Sequence, residues 1–387
     1  MQVSMHKKLL ISGFVLFALF LLVQKQTPQA TKVELEYNAE KFSPPKIPTN
    51  NPQTLEGIKL GRLLFYEKML SGNNLQSCGS CHLQKFAFTD GKKLAMGAKG
   101  DINTRNTMSL VNLAWGKDFF WDGRVKSLEA LSAHPISNVI EMGQDSLELI
   151  EELKAHKHYP ALFEKAFPGE NISVQTLSKA IAQFLRSITG EAQDLPDSIS
   201  TTYQLSNPGN SGAQELPYEF FALDPEDIVL TKSDTVVYEQ FKKQTFSSSI
   251  QEEASFSGMY FRLGIMCTPC HTGESFGGEI MANNLLDENQ KQLFKVPSLL
   301  NVLLTAPYMR DGRFENTDEV LEHYDQHISE LHKHNPHLKL APIPNLITEY
   351  DKEHFNDFLR IFTDSTIAKN IKWSDPFASE TFSWENL

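Results

Sequence analysis

The pentapeptide Cys78-Gly79-Ser80-Cys81-His82 recurs as Cys267-Thr268-Pro269-Cys270-His271, and no other arrangement in the chain restricts its fold so strongly. Cys-x-x-Cys-His is the attachment signature of a c-type haem: two thiols form thioethers to the porphyrin vinyl groups, and the adjacent histidine reaches one axial face of the iron. Each copy therefore predicts one covalent haem c. Zinc also uses Cys-x-x-Cys, but it needs further thiol or imidazole ligands at suitable spacing, and the two motifs consume all four cysteines. A chance match with merely buried thiols is the remaining alternative. The absence of any cysteine outside the motifs argues against it.

A chain of 387 residues is long enough for two domains, one for each motif. The apolar share of 41% and charged share of 22% are those of a globular protein. A net charge of -12 argues against nucleic acid as a partner, since nothing in the pattern would neutralise phosphates along a groove. An acidic surface would steer a small basic electron carrier toward the chain, although solubility alone accounts for the charge.

At the N-terminus His6, Lys7 and Lys8 precede an apolar run over residues 9–23 and a polar stretch over 24–31, the pattern of an export signal. Export to the periplasm fits c-type haem attachment, which takes place outside the bacterial cytoplasm. The run is short for a membrane span, and Gln29-Ala30 is a poor cleavage site, so an uncleaved N-terminal anchor is the alternative. No cysteine directly follows the run, which excludes a lipoprotein anchor.

The reading predicts an all-α chain. Residues 1–30 form the signal or anchor, 31–192 an N-terminal haem domain, 193–249 an irregular connection, 250–365 a C-terminal haem domain and 366–387 a tail that the pattern leaves without a position. Leu60, Leu63 and Leu64 follow helical spacing before the first motif. Asp145 caps a segment with Leu147, Ile150 and Leu153 inward, and Ser173 caps one with Leu177, Ile181, Phe184, Leu185 and Ile188 inward. Asn316 and Glu319 have capping-box spacing before Val320, Leu321 and Tyr324, and a last amphipathic helix carries Phe355, Phe358, Leu359 and Phe362. Residues 91–107 read as a loop of the kind that lines sites. His327, His332, His334 and His337 suggest a metal patch, but Asn335-Pro336 argues for an exposed loop without fixed ligand geometry.

With two Cys-x-x-Cys-His motifs, Phe120-Trp121-Asp122-Gly123-Arg124 after the first and Leu304-Thr305-Ala306-Pro307-Tyr308-Met309 after the second, the chain resembles the bacterial di-haem cytochrome c peroxidase and MauG family. The resemblance runs from about Leu55 to Phe362. It implies two cytochrome c-like haem domains, the first reacting with hydrogen peroxide and the second handling electrons, with calcium between them. His82 is then the proximal ligand of the first iron, and Glu141 falls where the family has its distal carboxylate. Trp121 falls at the inter-haem tryptophan, and Asn106, Thr305 and Pro307 fall at the calcium ligands. His271 holds the second iron, with Tyr324 aligned to its other face, where peroxidases that store an electron have methionine and MauG-like members have tyrosine. Met309 and His323 are rivals for that face. Three departures stand out. Ala98 lies in a loop that carries a blocking histidine in reductively activated members, Leu131 replaces a distal glutamine, and Arg310 replaces a histidine. His134 near Leu131 is a candidate to compensate, and Met96 is an unfavoured candidate to bind the first iron. The implied activity is peroxide reduction with electrons from a cytochrome c or cupredoxin-like protein. The alternatives are a MauG-like oxidase and a non-catalytic dihaem electron carrier.

Overall fold

The computed structural model describes residues 29–39, 42–190, 280–287, 291–335, 347–360 and 362–384, with 267, 270, 271, 276 and 277, except for the side chains of 328, 329 and 332. The apolar run over residues 9–23 and the 193–249 connection lie outside them. Among the described residues no helix is long and apolar enough to cross a membrane.

The described chain is mainly helical: α1 Leu55–Tyr66, α2 Cys78–Cys81, α3 Leu128–Ser137, α4 Ser146–Ala155, α5 Tyr159–Ala166, α6 Val174–Arg186, α7 Thr317–His334 and α8 Glu349–Arg360. The sheet is one antiparallel pair, β1 Met281–Ala282 with β2 Phe294–Lys295. Thr54 starts α1 by accepting a hydrogen bond from the Gly57 N–H, and Leu60, Leu63 and Leu64 turn inward from there. Helix α6 opens on the Ser173–Thr176 capping box and buries Leu177, Ile181, Phe184 and Leu185. Each of these side chains contributes about 1.5–3 kcal/mol by leaving water.

Helices α1 and α6 cross at glycine. A Cβ on Gly61 would lie 2.0 Å from the Ala180 carbonyl oxygen, and one on Gly57 would meet the Gln183 side chain. The Gln183 amide instead bonds Thr54 and Asn51. This close crossing matters for the site because Phe65 of α1 and Ile181 and Leu185 of α6 line the cavity beside the first motif. Gly61→Ala is expected to lower the unfolding free energy by about 1–3 kcal/mol, read as an earlier denaturant midpoint, with the exposed Lys59→Ala as an unshifted control.

A repeat organises the rest. Cys78 and Cys267, Asn112 and Asn301, Phe120 and Met309, Gly123 and Gly312, and Ser127 and Asn316 each stand 189 residues apart. The backbone repeats with them. Asn112 and Asn301 have φ of 58° and 64° and open short 3-10 turns, Leu113–Trp115 and Val302–Leu304. Phe120 and Met309 have φ of 62° and 72°, inside bridges that pair Phe119 with Val125 and Tyr308 with Phe314. Ser127 and Asn316 then cap α3 and α7. The two haem motifs thus lead into one backbone design used twice, although little side-chain identity survives between the copies.

The buried apolar residues form two main clusters. The larger holds α1 and α3–α6, and the smaller holds Leu300, Leu321, Phe355, Phe358, Leu359 and Phe362. The chain ends cross between them. Phe42 packs in the second cluster, where Trp115 donates its indole N–H to the Ser43 carbonyl at 2.8 Å. The tail returns to the first cluster: Tyr66 donates to the Trp373 carbonyl at 2.6 Å, and Trp373 donates to the Ser187 carbonyl at 2.9 Å.

Three sequence expectations need correction. Asp145 does cap α4, but Leu147 is 82% exposed and Leu149 takes the inward position. Residue 147 is in the first turn, where the chain is still swinging onto the core face. Asn316 accepts from the Glu319 N–H, yet the Glu319 carboxylate reaches past it to the Glu315 N–H at 2.7 Å, so the box closes only one way. His327, His332 and His334 lie in α7 and not in a loop, because the helix continues to His334 before Asn335 stops it. His337 lies outside the described residues. No group of three His, Cys, Asp or Glu that could hold a metal ion occurs among the described residues.

Candidate active site

Helix α2 is one turn long, so the Cys78 and Cys81 thiols and His82 leave it close together. Ser77 and Ser80 close a capping box over its start, and Tyr66 lies against Gly79, where any Cβ would sit 2.4 Å from the Tyr66 ring. His82 follows as the C-cap, and its Nδ1–H donates to the Phe88 carbonyl at 2.8 Å. That bond assigns the proton to Nδ1 and leaves Nε2 as the free donor atom toward a metal. Burial lowers the pKa of the imidazole against the opposing pull of the Phe88 carbonyl and Asp90, which keeps it neutral and ligand-ready. His271 repeats the device: Nδ1 donates to the Pro297 carbonyl at 2.9 Å, and burial pulls its pKa down to about 4. Cys78, Cys267 and Cys270 have thiols pushed up to about 12, chiefly by burial. Two thiols and a neutral imidazole on one turn fit thioether attachment of haem, whereas a zinc site needs further ligands, and no metal-holding group of three His, Cys, Asp or Glu occurs among the described residues.

A cavity of about 370 Å³ opens on this motif, lined by Cys78, Cys81 and His82 on one side and by Trp121, Leu131, Pro135 and Glu141 on others. The expected loop contributes Met96 and residues 103–107, with Met96 at the rim and 53% exposed. Glu141 is held by the Asn138 amide, which donates to its Oε1 at 2.9 Å. Burial raises the Glu141 pKa above the usual carboxylate range, opposed by His134, Asn138 and Arg124. Its backbone is pinned as well. The Ala98 N–H donates to the Glu141 carbonyl at 2.7 Å, and a Cβ on Gly97 would lie 2.2 Å from the Ile140 carbonyl oxygen. The loop that holds Ala98 is therefore bonded to the turn that presents Glu141.

The repeat bears on the opposite face of each motif. Tyr324 stands 189 residues after Pro135. Tyr324 packs with Cys267 in the second cluster, and burial beside the Cys270 thiol pushes its phenol pKa up. Asn284 bonds all three candidates, Tyr324 through a side-chain hydrogen bond. His323 Nε2 donates to the Asn284 carbonyl at 2.7 Å, and Met309 sulfur accepts from the Asn284 amide at 3.2 Å. In the first half the equivalent position is Pro135, which lines the first cavity and has no side-chain group to offer a metal.

A second cavity, about 120 Å³, lies between the halves and is lined by Asn106, Thr305 and Pro307 together. The Asn106 amide nitrogen is bonded to the Lys92 and Lys93 carbonyls at 2.9 and 3.2 Å, which turns its oxygen the other way. An amide oxygen with neighbouring backbone carbonyls is a hard donor set suited to calcium. Trp121 lines both cavities; its indole donates to the Asn106 carbonyl at 2.8 Å.

Sequence reasoning missed Lys295. This residue is buried, lines both cavities, and donates its backbone N–H to the Trp121 carbonyl at 2.8 Å, with its pKa lowered to about 8 by burial. A lysine in a short apolar stretch carries no signal until β2 turns it inward. Arg310 also finds a function. It bonds Asn284 and pairs with Asp287, and its guanidinium covers Phe294 at 4.4 Å, so it ties the segment after β1 to β2.

Residues 55–198 match the family model described as di-haem cytochrome c peroxidase. The chain is similar to the di-haem cytochrome c peroxidase and MauG family. It is 29% identical over 318 residues to the methylamine utilization protein MauG of Methylorubrum extorquens, covering 77% of each chain. With the cytochrome c551 peroxidase of Nitrosomonas europaea it shares 26% over 272 residues, 70% of this chain and 73% of the relative. Among solved structures it resembles a MauG-like protein associated with microbial copper homeostasis, with a TM-score of 0.61 and 24% identity over 88% of this chain and 100% of that one. That last likeness is one of fold. In line with these relatives the chain is a haem-dependent oxidoreductase of the cytochrome c peroxidase type.

Proposed function

We propose that this di-haem protein reduces hydrogen peroxide to water with electrons from a small redox protein, a cytochrome c or a cupredoxin-like carrier. One observation carries the reading: Glu141, largely withdrawn from water and held by Asn138, shares the first cavity with Cys78, Cys81 and His82. Haem, when bound, supplies an iron that binds peroxide and passes electrons. The chain supplies the proton chemistry. Glu141 takes the proton from the near oxygen and returns it to the departing one, and two further protons and two electrons complete two waters. Trp121, as the wall common to both cavities, is the position for electron passage between the halves. The test is peroxide consumption with reduced cytochrome c, expected to oxidise two donors per peroxide. Absence of turnover with every donor offered would favour a non-catalytic electron carrier.

The second reading is a MauG-like oxidase that withdraws electrons from a partner, and Tyr324 beside Cys267 and Cys270 favours it. Rapid mixing of the ferric protein with peroxide separates the two readings. Reaction without prior reduction favours the oxidase, and a requirement for one added electron favours the gated peroxidase.

The same reading takes residues 31–192 and 250–365 as the two cytochrome c-like haem domains, in a protein exported to the periplasm. It assigns calcium to the Asn106 side chain and the Thr305 and Pro307 carbonyls. Prolonged chelation is expected to slow peroxide turnover, with recovery on adding calcium but not magnesium, whose smaller octahedral shell fits neutral carbonyls poorly.

A further inference from the structure

Lys295 is a buried charge for which peroxide chemistry has no evident use. The residue is 8% exposed, and its ammonium stands over the Phe119 ring, 5.5 Å from the centroid. Among the described residues that ammonium has no hydrogen bond or ion pair. Asp118 is the acid that acts on it, but Asp118 is paired with Lys126 at 2.6 Å. A buried charge without a partner is costly, so an anion brought to Lys295 would be held firmly.

The space around Lys295 is short of negative charge. The second cavity has no Asp or Glu in its lining. The first has Asp122, which pairs with Arg124 at 2.8 Å, and Glu141, which is bonded to Asn138 at 2.9 Å. Arg105 also lines the first cavity. Its guanidinium lies over Phe294, the residue before Lys295, at 4.6 Å, and it has no acidic partner among the described residues. Each half thus brings to the first cavity one cation that no acid answers. A haem attached through its vinyl groups at Cys78 and Cys81 carries two carboxylates on the porphyrin edge away from them.

We propose that Lys295 is a cofactor-binding residue whose ammonium, with the Arg105 guanidinium near it, receives a carboxylate of the first haem. The inference rests on the reading of the first cavity as the haem site. Lys295 comes from β2 and the attachment motif is α2, so this ion pair fastens the second half to the cofactor of the first. It also suits the second cavity, because a carboxylate on Lys295 offsets the repulsion between the ammonium and a calcium ion. The sign of the effect on the iron follows from charge. Ferric haem carries one more positive charge than ferrous haem, so a cation held beside it favours the ferrous form.

The experiment compares the exported di-haem holoprotein with Lys295→Met and Lys295→Arg. Spectroelectrochemical titration reads each haem, and resonance Raman reads the bending bands of the haem carboxylates. In Lys295→Met the first haem is expected to show a ferrous-to-ferric ratio on the order of tenfold lower at a fixed potential, a fall of about 59 mV for one electron. Its carboxylate bands are expected to shift. Lys295→Arg, which keeps the charge and the donors, is expected to leave both readings at the wild-type position. If Lys295→Met does not load haem, Lys295→Gln, neutral and still a donor, is titrated in its place against the same expected fall. Unmoved carboxylate bands in Lys295→Met, an unmoved first-haem potential, or a shift confined to the second haem overturns the proposal. If peptide mapping of wild type finds no haem on the peptide that holds Cys78 and Cys81, the reading beneath the proposal is overturned instead.

Discussion

Replacing Glu141 by glutamine is expected to slow the reaction of the ferric protein with peroxide by about 10²–10⁴-fold, the range for loss of a general acid–base group. Glutamine keeps the shape and can still accept from Asn138, but it cannot take a proton from peroxide and return it. The fold should survive. The raised pKa of Glu141 means that the native state holds the proton more tightly than the unfolded chain, so the charged group weighs against stability above its native pKa. Glutamine removes that weight, and stability at neutral pH should hold or rise. Stopped-flow traces read the rate and thermal melts read the fold. A rate within threefold of wild type, with melts unchanged, would return Glu141 to the status of a wall residue.

Tyr324→Met is expected to raise the reduction potential of the second haem by on the order of a few tenths of a volt, within the span over which axial ligands move haem potentials. A thioether favours ferrous iron and a phenolate favours ferric. The variant should therefore hold one electron when poised at potentials where wild type stays fully ferric, and it should acquire the behaviour of a peroxidase that reacts only after partial reduction. Tyr324→Phe keeps the ring in its cluster beside Cys267 and removes the oxygen. Spectroelectrochemical titration distinguishes ligation from packing: if Tyr324→Met and Tyr324→Phe both leave the potential where wild type has it, Tyr324 is a core residue, and Met309 or His323 returns as the candidate ligand.

Much of this protein was legible in one dimension. Four cysteines in two identical spacings specified the haem chemistry, because thioether attachment needs both thiols and the histidine within one turn. Helix starts were legible where a side chain bonds a nearby N–H, as at Asp145 and Ser173, whereas the cap at Thr54 emerged only from the structure. The inward face of α4 was misread at one position, Leu147 in place of Leu149, since periodicity gives an angle around the helix but not its direction toward a core. The 189-residue repeat is partly legible too, since Ser109-Leu110 and Ser298-Leu299, Asn112 and Asn301, and Asp122-Gly123-Arg124 and Asp311-Gly312-Arg313 recur at that spacing. What the sequence does not show is that the positive φ at Asn112 and Phe120 recurs at Asn301 and Met309.

The sequence by itself determined two covalent haem sites, a mainly helical chain and a short set of candidate residues, because each depends on neighbours within a few bonds. Only the tertiary structure decided how those candidates meet. It brought Glu141 from a turn and His82 from a motif some sixty residues earlier into one cavity, seated Lys295 and Trp121 in the wall between the halves, and folded Trp373 back onto α1. Such encounters join residues far apart along the chain, and they follow from which apolar faces are buried together. Local spacing holds no record of that choice.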